Sequence, residues 1–305
     1  MDLRIAFMGT PDFAVPSLTK LAENFIIAGV VSQPDRPSGR GQRLISPPVK
    51  ITAQELGLEI FQPADVNAGS FLNVIQGWNV DLICVAAFGQ LLKPELLSLP
   101  EIGCLNVHAS LLPRWRGASP INAAILAGDS HSGVTIMKMG PGLDDGPILA
   151  QASTLIEPEE TAGTLSDRLA ELGGELLVKT IPSYLRGELN PRSQDPDLVT
   201  YAPLLEKKAG ELDFSQPSGD LARKVRAYSP WPGTFTIWEG KRLLIHKSSS
   251  ISVTSPGAGV FTRFEGKPAI GTGKGILVLE QLQLAGKRSV SGEEFLNGTP
   301  SWGKS

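Results

Sequence analysis

Cysteine and histidine are scarce: 2 and 3 among 305 residues. Cys84 and Cys104 each sit inside an apolar run, Val80 to Phe88 and Ile102 to Val107, where thiols behave as small hydrophobes. With no Cys-x-x-Cys and so few imidazoles, a zinc or redox centre has almost no ligands to draw on. No stretch of about 18 uninterrupted apolar residues occurs, which argues against a membrane span. The start, Met1-Asp2-Leu3-Arg4, runs straight into a strand-like segment without a signal-peptide pattern, so a cytoplasmic chain is expected. The first strand ends in Gly9-Thr10-Pro11-Asp12, not Gly-x-Gly-x-x-Gly, and the dinucleotide-binding reading loses its main support.

What is present is an ordinary globular composition, 41% hydrophobic and 19% charged, at a length that suits two domains. The net charge of −3 hides an asymmetry. Residues 1–205 carry 14 Lys+Arg against 22 Asp+Glu, and residues 206–305 carry 14 against 9. A basic C-terminal part on an acidic protein suits a polyanionic partner, and it equally suits a solvated surface.

Strand-like and helix-like segments alternate through the first two hundred residues, which predicts a mainly parallel sheet with helices on both faces. Strands are expected at Leu3 to Met8, Phe25 to Ser32, Val80 to Phe88, Ile102 to Val107 and Val134 to Met139. Helices are expected at Phe13 to Glu23, from Pro120 to a stop at Gly128, and at Ala162 to Leu185, where leucines recur at helical spacing. Gly187 to Asp197 reads as linker. After a helix at Gly219 to Tyr228, short alternating segments (Thr234 to Trp238, Leu243 to Lys247, Ala258 to Phe264, Gly275 to Leu284) are punctuated by turns at Glu239-Gly240-Lys241, Glu265-Gly266-Lys267 and Gly271 to Gly275. A small antiparallel barrel is the natural architecture.

In a doubly wound sheet ligands bind beyond the carboxyl ends of the strands. One strand ends there in Asn106-Val107-His108, and side-chain alternation points Asn106 and His108 to the same side. Downstream, Gly140-Pro141-Gly142-Leu143-Asp144-Asp145-Gly146-Pro147 is a glycine-rich loop able to hold a carboxylate near the same edge. An amide, an imidazole and a carboxylate without a Ser or Cys nucleophile suit direct acyl transfer, in which the incoming amine attacks. The Asn N–H and a protonated His would stabilise the oxyanion, while the Asp orients the His and helps relay the amine's proton. Taken singly, each has a plainer role. His108 fits a hydrogen-bonded strand end, Asn106 a turn cap, and Asp144 and Asp145 a solvated loop. His131 reads as an exposed turn residue, and His246 falls in the barrel.

Asn106-x-His108 with Ser110-Leu111-Leu112-Pro113 and Gly117, followed by Gly142-Leu143-Asp144-x-Gly146, resembles the signature of the folate-dependent formyltransferases. The similarity extends to Gly9 to Ala14, Gln33 to Pro37, Gly39-Arg40-Gly41, Pro48-Val49-Lys50 and Ala227 to Pro232, and so runs through nearly the whole chain. The resemblance implies a Rossmann-like doubly wound, mainly parallel α/β domain (1–186), a linker (187–206) and an OB-like β-barrel domain that binds tRNA (207–305). It implies 10-formyltetrahydrofolate as formyl donor, no metal, and initiator methionyl-tRNA as acceptor, with the chain working as a monomer. Asn106, His108 and Asp144 match the family's catalytic trio. Ser110, Leu111, Leu112 and Pro113 match the segment beside the donor, and Phe88 with Gly89, Gln90, Leu91 and Leu92 matches the pterin pocket. Transfer to a small amine and a non-catalytic nucleic-acid-binding role are the competing readings. The trio alone does not exclude the first; the second leaves the trio unemployed.

The segment from Pro34 to Pro48 carries Arg36, Arg40 and Arg43 among glycines and prolines, and arginines on such a loop reach phosphates or base edges. The resemblance places this loop in the acceptor stem; the basic charge of residues 206–305 points to Lys207, Lys208, Arg223, Lys224 and Arg226, at the domain entrance and on a helix-like segment, as further tRNA contacts. Arg40→Ala is accordingly expected to raise KM for methionyl-tRNA while leaving folate affinity intact. A parallel loss of folate affinity would put the loop in the donor pocket instead.

Overall fold

The computed structural model describes residues 2–38 and 43–303; Arg40 lies outside the described residues, as does the side chain of Arg43. The chain forms two compact units, one of Met1–Pro120, His131–Leu155 and Ser166–Ala202, the other of Ile121–Ser130, Ile156–Leu165 and Pro203–Ser305.

In chain order the first two hundred residues form β1 (Arg4–Gly9), α1 (Val15–Asn24), β2 (Ile26–Val31), a hairpin of β3 (Arg36–Ser38) and β4 (Arg43–Ile45), α2 (Pro48–Glu55), β5 (Ile60–Phe61), α3 (Gly69–Gly77), β6 (Leu82–Ala86), α4 (Pro94–Leu97), β7 (Gly103–His108), β8 (Arg116–Gly117), α5 (Pro120–Ala127), β9 (His131–Lys138), β10 (Ile148–Leu155), α6 (Ala162–Leu185) and β11 (Tyr201–Ala202). The main sheet runs β10-β9-β7-β6-β1-β2-β5. Its five strands from β5 to β7 are parallel. β9 and β10 extend it in antiparallel pairings. The chain steps outward from β1 through β2 to β5, then returns to lay β6 on the other side of β1. The carboxyl ends of β1 and β6 therefore flank the topological switch, where such sheets open a crevice.

Burial explains the strand sequences. Every residue of β6 and β7 is buried, which is why both read as continuous apolar runs instead of alternating ones. Ala6, Met8, Ile83, Val85 and Cys104 share a core with Phe71, Ile75 and Trp78. Trp78 lies so close to β2 that a Cβ at Gly29 would come within 2.6–2.8 Å of its ring, so only glycine lets the indole cover that strand. Burial raises the Cys84 thiol, with Cys104 adding to the effect, and pushes Cys104 up to about 12, as for inert core thiols.

The second unit carries α7 (Ser218–Ala227), β12 (Thr234–Trp238), β13 (Lys241–Ile251), β14 (Phe261–Phe264), β15 (Lys267–Gly271), β16 (Ile276–Leu284), β17 (Val290–Ser291) and α8 (Gly292–Gly298). Its OB-like antiparallel sheet runs β12-β13-β16-β15-β14, with β17 on β16. Two hairpins close through Glu239-Gly240 and Glu265-Gly266. In both, the two central residues have positive φ (46° and 71°, 46° and 77°), the mirror-image turn whose twist matches paired strands. The excursions at Ile121–Ser130 and Ile156–Leu165 join this unit through polar ties: Asn122 Nδ2 donates to Ala227 O (2.7 Å), and Gly163 N donates to Ser229 O (3.0 Å).

Trp302, fully buried, closes the second core. Its ring lies 4.7 Å from Phe261, 5.4 Å from Phe295 and 5.6 Å from Trp238, and its Nε1 donates to Thr262 O at 2.7 Å. Trp302→Ala is expected to cost about 3–5 kcal/mol in this unit, as for large aromatic deletions from cores. Denaturant unfolding followed through the second unit measures it, and a loss below about 1 kcal/mol would contradict the packing described.

Candidate active site

Two residues apart at the carboxyl end of β7, Asn106 and His108 are 9% and 6% exposed. His108 Nε2 lies 2.9 Å from the carbonyl oxygen of Trp115. A carbonyl only accepts, so this ring nitrogen carries the hydrogen, and Nδ1 is left to take or give a proton. Asp144 faces that nitrogen, with Oδ2 3.6 Å from Nδ1. The same oxygen accepts from Gly117 N at 2.8 Å. The neighbouring Asp145 is exposed, which separates the two aspartates that the sequence leaves side by side. The Asn106 carboxamide has no hydrogen-bond partner among the described residues and is free to meet a ligand.

The loop after β7 is held from beneath by β9. Thr135, fully buried, donates its hydroxyl to Ser110 O (2.6 Å) and accepts from Leu112 N (3.1 Å) and Gln151 Nε2 (3.0 Å). Ser110 in turn donates to Arg114 O (2.6 Å). Trp115 and Asp144 both take left-handed backbone angles, φ 63° and 48°. Side chains there cost about 1–2 kcal/mol each, so the surrounding structure must enforce them.

Part of that enforcement comes from the segment read as linker. Arg192 and Ile148 exchange two backbone hydrogen bonds, each 2.8 Å. Thr200 Oγ1 accepts from Trp115 N (2.9 Å), Thr200 O accepts from Arg116 N (2.9 Å), and β11 then pairs in parallel with β8. A Cβ on Gly117 would sit 2.7 Å from Ala202 O, so glycine is required for this approach. Between those anchors Gln194 Nε2 donates to Asp144 O and to Gly146 O, both at 2.8 Å, while its Oε1 accepts from Arg116 Nε at 3.0 Å. Sequence reasoning missed Gln194, Thr200 and Thr135, since none stands in a motif of its own.

On the β6 side, Phe88 and Leu92 are buried, Leu91 is 71% exposed, and Gln90 is tied to Val66 N (3.0 Å) and Ala64 O (3.3 Å). Gly89 has φ 86°. A cleft of about 540 Å³ opens at the ends of β1, β2 and β6, lined among others by Thr10, Gln33, Pro34, Ile45, Phe88 and Gly89. Gln33 Oε1 accepts from Arg36 Nη2 at 3.2 Å, whereas its buried Nε2 has no partner among the described residues. A buried donor left unpaired costs about 1–3 kcal/mol; a bound molecule would satisfy it. At the foot of the hairpin, Lys50 above all, then Gln62, hold the Asp35 carboxyl below the usual range.

The basic residues expected to meet tRNA are largely occupied within the second unit. Lys208 pairs with Glu206 (2.8 Å) and Arg223 with Asp220. Lys224 Nζ donates to Glu211 O (2.8 Å), and burial pulls its ammonium below the ordinary value against the opposing effect of Asp213. Arg226 Nη1 donates to Glu160 O (3.0 Å). Lys207 is exposed. His246 is exposed and meets Gln283 (3.1 Å), and His131 begins β9.

The formyl transferase family matches residues 3–181, and the formyl transferase C-terminal domain matches residues 204–300. A methionyl-tRNA formyltransferase of Geobacter metallireducens is 43% identical over 297 residues, covering 97% of this chain and 96% of the relative. Among solved structures, the sugar 3N-formyl transferase WlaRD, determined with dTDP and 5-N-formyl-THF, superposes with TM-score 0.68 at 20% identity over 94% of this chain and all of that one. HypX from Aquifex aeolicus gives TM-score 0.64 at 18% identity; the match takes in 97% of this chain and 49% of HypX.

Thr135→Val removes the hydroxyl and keeps the shape, leaving Leu112 N and Ser110 O unsatisfied. A stability loss of about 1–3 kcal/mol is expected, with a raised KM for the formyl donor, since the loop from Ser110 to Pro113 rests on this hydroxyl. Unchanged stability and unchanged KM would remove Thr135 from the support of the site.

Proposed function

We infer that this chain, which belongs to the methionyl-tRNA formyltransferase family, uses Asn106, His108 and Asp144 as its catalytic groups. The enzyme transfers the formyl group of 10-formyltetrahydrofolate to the free amino group of methionyl initiator tRNA. The donor, when bound, supplies an activated formyl carbon. All the rest falls to the side chains at the end of β7 and to Asp144 in the loop between β9 and β10. What supports the assignment most is that Asn106 and His108, two residues apart on β7, are both nearly buried at its carboxyl end, with Asp144 Oδ2 3.6 Å from His108 Nδ1.

Asn106 Nδ2–H and protonated His108 Nδ1–H donate to the negative charge that builds on the formyl oxygen as the amine attacks. Asp144 pairs with the imidazolium and relays the proton released by the attacking amine; as the tetrahedral intermediate collapses, the bond from the formyl carbon to N10 of the folate breaks and N10 takes up a proton, so that tetrahydrofolate departs neutral at that nitrogen. Low exposure makes these interactions stronger than they would be in water. No serine or cysteine nucleophile takes part. Phe88 to Leu92 and Ser110 to Pro113 form the donor side, with the unpaired Gln33 amide and Asn106 carboxamide as donors fitted to a polar ligand.

Residues 1–186 act as the catalytic domain, and 207–305 as the tRNA-binding domain, joined through 187–206. Arg36, Arg40 and Arg43 serve the acceptor stem, while Lys207, Lys208, Arg223, Lys224 and Arg226 give the second unit its positive field. The working unit proposed is a monomer in the cytoplasm.

Formyl incorporation into charged initiator tRNA, compared with elongator methionyl-tRNA and small amines, tests the acceptor class; preference for a small amine would overturn it. In the same assay Asn106→Ala or His108→Ala should lower kcat about a hundredfold or more, with a smaller change in KM. Near-normal kcat in His108→Ala would sink the mechanism. Asp144→Ala should be worse than Asp145→Ala, and the reverse ranking would mean that the exposed aspartate does the work.

A further inference from the structure

The Gln194 side chain is fully spent on the active-site loops. Both of its N–H bonds go to carbonyls, of Asp144 and Gly146 (2.8 Å each), and its oxygen takes Arg116 Nε (3.0 Å). The orientation of the amide is dictated, because carbonyls only accept and a guanidinium only donates. These bonds close a ring: Gln194 holds Arg116, Gly117 follows Arg116 in β8, Gly117 N donates to Asp144 Oδ2 (2.8 Å), and Asp144 O returns to Gln194. Asp144 sits within that ring in a left-handed conformation, φ 48°, uncommon for residues other than glycine although aspartate is among those that tolerate it best. Gly146 is pressed against β9, where a Cβ would come 1.8 Å from Lys138 O. Clamped on both sides of Asp145, the loop keeps one aspartate turned toward His108 and the other exposed.

We propose that Gln194, in the segment joining the two domains, is a positioning residue for the reaction: it fixes the Asp144 carboxylate opposite His108 Nδ1 and makes no contact of its own with substrate. The proposal rests on the catalytic assignment of Asp144 above. A clamp of this kind affects kcat, because it sets the geometry of a charge used in the transition state, and it leaves the substrate pockets alone.

A double-mutant cycle with the full-length enzyme reads the coupling directly. Gln194→Met preserves shape and loses all three hydrogen bonds. Gln194→Glu keeps an acceptor for Arg116 and turns the two donors into acceptors facing carbonyls. Each should lower kcat about 10- to 100-fold, the effect of displacing a reacting group by about an ångström, with KM for methionyl-tRNA and for the donor within about threefold of wild type. In the Asp144→Ala background the same substitutions should lower kcat less than about threefold, since the group they position is gone. A drop in the Asp144→Ala background as large as in wild type, or unchanged kcat in both single variants, would overturn the proposal. If Gln194→Met fails to fold, Gln194→Glu carries the cycle. Asp144→Ala alone separates the two levels. Near-normal kcat there defeats the catalytic assignment, whereas a crippled Asp144→Ala with multiplicative Gln194 effects defeats only the positioning role.

Discussion

One hydrogen bond organises the active site: the 2.9 Å contact between His108 Nε2 and the carbonyl of Trp115. It consumes one ring nitrogen and dedicates the other, Nδ1, to chemistry. Much of the local structure follows from making that carbonyl available. Trp115 must enter the left-handed region, Gly117 must have no Cβ, and Thr200 must hold Trp115 N from the far side. With the imidazole fixed, Asp144 needs only to be presented to Nδ1, and the Gly117 amide does that through the same two-residue strand. The histidine and the aspartate are thus registered against a common piece of backbone, a direct way to keep the two groups proposed for catalysis from drifting apart.

The sheet supplies what the loops cannot. β7 lies next to β6, whose carboxyl end flanks the topological switch, so its last residues reach the edge of the sheet along which ligands of doubly wound folds bind. The antiparallel β9 next to β7 brings Thr135 opposite His108 and under the loop of residues 110–113.

Much of this was legible in the sequence, and for identifiable reasons. Long or strongly patterned elements announced themselves: α6 was expected over the residues it occupies, the buried runs gave β6 and β7, and the Glu-Gly turns gave the hairpins of the second unit. Asn106 and His108 were found because strand alternation makes their facing a matter of arithmetic. What escaped were features whose cause is tertiary. α2 and α3 are short, of 8 and 9 residues, with little room for a period to show. β10 is not signalled although its outer part alternates, half-buried to exposed. The stretch around Pro191 and Pro196 has the composition of a linker, yet 192–202 is bonded along the active-site loops, a role set by hydrogen-bond partners far away in sequence. The choice between Asp144 and Asp145 rests on the family resemblance; in the structure Asp144 is half-buried beside His108 and Asp145 is exposed.

The central claim is that His108 presents Nδ1 to the reacting groups because the Trp115 carbonyl holds Nε2. Nitrogen NMR of the His108 ring in the free enzyme, at a pH where the imidazole is neutral, reports the tautomer directly. A protonated Nε2 with a bare Nδ1 is the predicted result. A protonated Nδ1 with a bare Nε2 would contradict the hydrogen bond on which the site is built.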